Sequence, residues 1–228
     1  MYAQLPCSDP VCRTVAGVPS SLLPYRLRVV VQPAGTPMGN DPFTAEFHPE
    51  LVGALVVKGR QDEPLVLTRH LAATWSVPPA RLWDDALDAL GVEALDVQRF
   101  TLSEARAEAY AVSGVGWPGA AHMFRLDKEL GRPLPLGALV MLTSDNAFVA
   151  LPLESSATLR AAPALWDLNE TLARDTPRAL PPRMLWVRGW TVHDLGAAVV
   201  DGRFSLGLPR ELKTALAQLN MATLAQLN

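Results

Sequence analysis

Glu46, His48 and Glu50 stand at alternate positions, so on an extended strand all three share a face, and an imidazole between two carboxylates could bind a divalent metal. Pro49 inside the run removes a ladder donor, and the expectation is three solvated loop residues and no metal. His193 and Asp194 have the composition of a general base with an orienting acid. Adjacent residues on a strand point apart, however, and no G-x-S-x-G segment marks a nucleophile, so a turn or capping role after Trp190 is expected. A hydrolase or metal-dependent enzyme using His48, His193 and nearby carboxylates is therefore kept as an alternative. Asp84, Asp85 and Asp88 fall on the polar side of a helical pattern, and His70 and His122 each stand alone on expected helices.

Cys7 and Cys12 are the only cysteines. A tetrahedral zinc site needs four ligands and no second pair is present, so plain reduced thiols are expected. Gly114, Gly116 and Gly119 have the G-x-G-x-x-G spacing of a dinucleotide loop, but Trp117 and Pro118 interrupt it and the flanking elements read as a hairpin, which argues against a nucleotide. No cofactor is expected. Arg183 to Trp190 alternates so that Met184, Trp186, Arg188 and Trp190 share a face. Exposed, that face could stack single-stranded bases or grip a peptide; buried, it is a core strand with the arginine stem across the rings. Burial is favoured, because the chain must build its core from few aromatics, and Trp186, Arg188 and Trp190 are the candidate recognition residues if the face is open.

The elements that position these residues follow from periodicity. Prolines punctuate residues 1 to 24, which read as an irregular leader. Tyr25, Leu27, Val29 and Val31 alternate with Arg26, Arg28 and Gln32, a strand with one buried face. Residues 51–58 and 64–67 form a second strand pair around a polar turn. Thr68 caps a helix, and Pro78 and Pro79 restart one whose Leu82, Ala86, Leu87 and Leu90 share a face up to Gly91. Strands at 96–102 and 107–112, a helix at 118–130, strands at 138–143 and 147–153, a helix at 156–174, strands at 183–190 and 197–206 and a helix from Pro209 complete the chain. Beyond residue 50 the order strand, strand, helix recurs about every 45 residues. The fold class expected is α+β, an antiparallel sheet with helices on one face, in two pseudo-related halves at 25–132 and 133–228.

Three segments carry a family resemblance. PLVLTRHLAATWSVPPARLWDDALDAL at 64–90 leads a strand through a short tryptophan-bearing helix into a longer one, with Ala89 in place of an asparagine. ALVMLTSDNAFVA at 138–150 sets Asp145 in a turn between two apolar strands, with Leu142 in place of a proline, and Gly116-Trp117 stands before Pro118 where an acid is usual. In this order of segments, over residues 64–206, the chain resembles the YtpQ-like family of uncharacterised bacterial proteins. The resemblance implies no activity, cofactor or catalytic residue.

Twenty basic against 23 acidic residues give a net charge of -3 and a pI near 5.8, which disfavours nucleic acid as a partner. No apolar run is long enough to span a bilayer, so a cytoplasmic protein without membrane association is expected. Without a mutually supporting acid, base and nucleophile, the function expected is a non-enzymatic protein-binding or oligomerising module. Leu212, Leu216, Leu219 and Leu227 form a terminal stripe that either covers the chain's own core or pairs with a second copy as a homo-oligomer.

Overall fold

The computed structural model describes residues 10–102, 106–177 and 179–226. The chain folds as two compact units, Met1–Glu93 and Ala94–Asn228, of the α+β class with antiparallel sheets.

In the first unit the elements are α1 (Pro10–Ala16), α2 (Leu23–Arg26), β1 (Leu27–Pro33), β2 (Thr44–His48), β3 (Leu51–Lys58), β4 (Pro64–Val66), α3 (Arg69–Ala73) and α4 (Pro79–Leu90). The expected irregular leader is therefore helical where it is described. The reason is packing: Cys12 and Val15 on α1 are buried, and Cys12 Sγ lies 3.7 Å from the Oγ1 of Thr68. Cys12 is disulfide-bonded, which corrects the expectation of a reduced thiol there; Cys7, the other cysteine, lies outside the described residues. One flank of β3 pairs with β1 from Leu51 to Val57, and the other with β2 and then β4. Thr68 caps α3 by accepting the Leu71 N–H at 3.2 Å, as its sequence predicts.

The strand expected to bury one face buries both. Leu27 through Val31 are all inaccessible, including Arg28 at 2% exposure, because α4 and α2 pack across this side of the sheet. Tyr25, expected on the buried face, belongs to α2 and is 74% exposed. The Trp83 ring of α4 lies over Gly53, where a Cβ would stand in ordinary contact with it at 3.6 Å, and it meets Phe43 edge-on at 6.0 Å.

The second unit contains β5 (Ala94–Leu102), β6 (Ala107–Val115), a 3-10 helix (Ala120–Arg125), α5 (Leu126–Glu129), β7 (Ala138–Leu142), β8 (Ala147–Pro152), a 3-10 helix (Ser156–Ala161), α6 (Ala162–Arg174), β9 (Leu185–Arg188), β10 (Thr191–Asp194), a small hairpin of β11 (Ala198–Val200) with β12 (Arg203–Ser205), and α7 (Arg210–Gln226). The main sheet has the order β10-β9-β7-β8-β6-β5. Pairing of β6 with β8, Tyr110 opposite Ala150 through Ser113 opposite Ala147, ties residues 94–115 to the strands C-terminal to them. The boundary accordingly falls at Glu93/Ala94 and not between 132 and 133.

Leu139, Met141, Val149 and Leu151 face Leu165 and Trp166 of α6 together with Leu212 and Leu216 of α7. The residues between them, Ala138, Val140, Phe148 and Ala150, are equally buried, and the 3-10 helix at 120–125 packs against β6, β8 and β9. Helices are thus not confined to one face, and the unbroken apolar runs of β7 and β8 are the sequence sign of it. In α7, Leu212 is fully buried, Leu216 is 6% exposed and Leu219 packs against the same core, so the stripe covers its own chain; Leu227 lies outside the described residues.

Candidate functional site

The first unit holds a cavity of about 540 Å³ built from segments that are far apart in sequence. Arg13 and Thr14 come from α1, Val18 from the turn after it, Leu22 from a 3-10 helix (Ser20–Leu22), Arg26 from α2, Val57 and Lys58 from the end of β3, Arg60 from the β3–β4 turn, and Leu65 from β4. Each wall has a local cause. On α1, Val15 faces the interior, which leaves Arg13 outside. The β3–β4 turn is closed by Gly59 N–H to the Glu63 carbonyl at 2.9 Å and by Gln61 N–H to the Glu63 carboxylate at 2.8 Å, with Asp62 at φ +63°, so Arg60 is carried outward on a tied loop.

The electrostatics are one-sided. Among the described residues four cationic side chains line the cavity and no carboxylate does. Lys58 is fixed behind the wall by Glu93, whose Oε2 lies 2.9 Å from Nζ, and Asp62 stands 3.5 Å away. Glu93 also accepts from the Arg28 Nε at 2.7 Å, while Arg28 Nη1 donates to the carbonyls of Tyr25 and Leu27. Burial pushes the Glu93 carboxyl up, but hydrogen bonds from Lys58 and Arg28, with their charges, outweigh it and hold the pKa below the ordinary 4.5. Arg13, Arg26 and Arg60 make no ion pair with any described residue.

None of these cations stood out in the sequence. Arg28 lay on the polar side of an alternating strand, and the spacing of 13, 26, 58 and 60 has no period. Only the rarity of lysine, with Lys58 one of three, set one of them apart.

The residues singled out in the sequence are distributed otherwise. Glu46 is exposed and His48 buried, because a register shift between them breaks the alternation, and His48 Nδ1 accepts the Glu50 N–H at 3.0 Å. Among the described residues no group of three His, Cys, Asp or Glu is placed to hold a metal. His193 stacks on Trp186 at 5.3 Å, and Asp194 accepts the Gly196 N–H at 2.7 Å, the turn role expected of it. Asp84 and Asp88 are at exposed positions, and Asp85 pairs with Arg81 at 2.8 Å. His70 is exposed, whereas His122 is 1% exposed with Nδ1 2.9 Å from the Glu129 carboxylate.

The tryptophan strand divides. Trp186 is 2% exposed and its indole N–H donates to the Leu136 carbonyl at 2.7 Å, so it is core and not a recognition residue. Arg188 is exposed, and β9 ends there, in a two-residue turn of Gly189 and Trp190 that pairs Arg188 with Thr191. Trp190 is 41% exposed and leans on Phe124 at 4.8 Å.

The glycine motif is a packing device. Gly114 and Gly119 both send their N–H to the Asn146 carbonyl, at 3.1 and 3.2 Å, and the Asn146 side chain returns a bond to Gly114 O. A Cβ on Gly119 would stand 2.6 Å from Asn146 O, and one on Gly114 would run into the Trp117 carbonyl, whereas Gly116, at φ +79°, faces open space. Gly114→Ala or Gly119→Ala is expected to cost about 1–3 kcal/mol by overpacking against backbone, and Gly116→Asn well under 1 kcal/mol, since asparagine tolerates the left-handed region. Urea midpoints of the three variants check this ordering.

No family model, no curated protein and no solved structure matches the chain, so the chemistry of the cavity rests on its own residues.

Proposed function

We propose that the chain works by binding, and that what it binds presents an anionic group to the cavity of the first unit. The observation that carries this is the set of three arginines that pair with no described carboxylate, Arg13, Arg26 and Arg60, around a cavity whose described lining holds no carboxylate. Undischarged guanidinium groups at a concave, partly apolar surface are kept apart at an electrostatic cost, and an anion relieves it. A thermal-shift series tests this directly. At about ten times its dissociation constant an anion adds about 1.4 kcal/mol to the folded state, a rise of about 3–6 °C in Tm. Sodium phosphate is expected to give that rise over sodium chloride of equal ionic strength, and an Arg13→Gln, Arg60→Gln double variant to lose it; equal curves in the two salts overturn the reading.

A protein partner, the class expected from the sequence, has one supporting observation. The exposed Trp190 borders a groove of about 210 Å³ lined by Phe124, Leu126, Val187 and Arg188, which suits a peptide side chain. No helix among the described residues is long and apolar enough to cross a membrane. A disulfide at Cys12 is a bond that persists in oxidising compartments and argues against a cytoplasmic location.

A further inference from the structure

We infer that the anion of this cavity is a phosphate monoester carried on an aliphatic body. The inference rests on the anion-binding reading and narrows it by counting donors, charge and space. Arg13, Arg26 and Arg60 come from three different elements, and each presents a planar fork able to meet two oxygens. A carboxylate brings two oxygens and one charge, too few for three forks. A phosphate monoester brings three terminal oxygens and a charge of about -1.5 to -2, which matches the donors and the excess of positive charge.

The space argues for more than the phosphate. The cavity, about 540 Å³, is in the range that holds a whole small organic ligand. The rest of its described wall is mostly apolar, with Val18, Leu22, Val57 and Leu65 beside Pro19, two glycines and the hydroxyl-bearing Thr14, and Leu22 is 43% exposed at the protein surface. Among the described residues no aromatic ring lines it, so they offer a nucleobase no stacking platform, and no carboxylate among them lines it to accept from ribose hydroxyls. What fits is a saturated chain or polyol bearing the phosphate. Lys58, fixed by Glu93, keeps its ammonium in the wall before the ligand arrives. The same chemistry is offered by a free alkyl or polyol phosphate and by a phosphatidate headgroup at a membrane surface.

Calorimetric titration of the full chain with inorganic phosphate, hexyl phosphate, hexanoate and adenosine monophosphate separates the cases. Hexyl phosphate is expected to bind at least about tenfold more tightly than each of the others, through the phosphate's extra charge-assisted bonds and the burial of its methylenes. Arg13→Gln and Arg60→Gln, both at exposed positions, are each expected to weaken it about tenfold with Tm unchanged. Leu22→Ser is expected to abolish the preference of hexyl over inorganic phosphate. Co-sedimentation with phosphatidylcholine vesicles only when they contain phosphatidic acid, lost in Arg60→Gln, assigns the source to a lipid headgroup; hexyl phosphate binding without vesicle binding assigns it to a free ester. Hexanoate or adenosine monophosphate binding as tightly as hexyl phosphate overturns the inference and leaves the anion-binding reading in place, whereas failure of all four ligands to bind overturns both.

Discussion

Replacing Trp186 by alanine will lower the stability of the second unit by about 3–5 kcal/mol, the usual cost of truncating a large aromatic in a core. Two losses add. The indole is almost completely enclosed among Leu139, Met184 and Leu195 of one cluster, and removing it leaves a void that rigid strands on either side cannot close. Its N–H also holds the Leu136 carbonyl at 2.7 Å, 50 positions away, and that acceptor is left buried without this donor. Denaturant unfolding followed by near-ultraviolet circular dichroism measures the effect. Trp190→Ala is the control: at 41% exposure it should cost about 1 kcal/mol or less. Equal losses in the two variants would show that Trp186 is not the core residue described.

Glu93→Gln is expected to destabilise the first unit by about 3 kcal/mol, the low end for breaking a buried ion pair by removing one partner. The Arg28 and Glu93 side chains are 3% and 8% exposed and 2.7 Å apart, so the amide leaves a guanidinium in the interior without its counter-charge. Arg28→Met combined with Glu93→Met should recover most of the loss, because a hydrophobic pair of similar volume has no charge to desolvate. The pH dependence has a definite sign. The folded carboxyl titrates below 4.5 and the unfolded one at about 4.5, so the folded state binds fewer protons in between. This contribution is complete above pH 4.5 and is lost as pH falls through the folded value. Glu93→Gln should therefore flatten the acid limb of the stability curve. Glu129 adds to the same limb, since burial raises its carboxyl while His122 and Arg125 lower it further, to below 4.5. An unchanged acid limb in Glu93→Gln would remove Glu93 as a determinant.

The sequence by itself determined the elements that close over a few residues. Thr68 as a cap, Pro79 at a helix start, Leu82, Ala86 and Leu90 on one helix face, the polar turn at 59–63 and the hairpin around Asp145 are all placed as their local patterns require. Their hydrogen bonds are satisfied by near neighbours, so the information is local. It also determined the α+β class, because hairpins alternating with helices favour antiparallel pairing. The alternation of residues 25–32 was legible, but its meaning was not: whether Arg28 faces water depends on α4 and on Glu93, 65 positions further on. The same holds for Trp186 against Trp190, four residues apart, one in the core and the other past the end of β9 on a two-residue turn. The boundary at Glu93 followed from β6 choosing β8, and the cavity from bringing residues 13, 26, 58 and 60 to one place. Those are tertiary decisions: side chains distant in sequence share one environment only after the sheet has paired, and burial, charge compensation and concavity belong to the pairing and not to any segment.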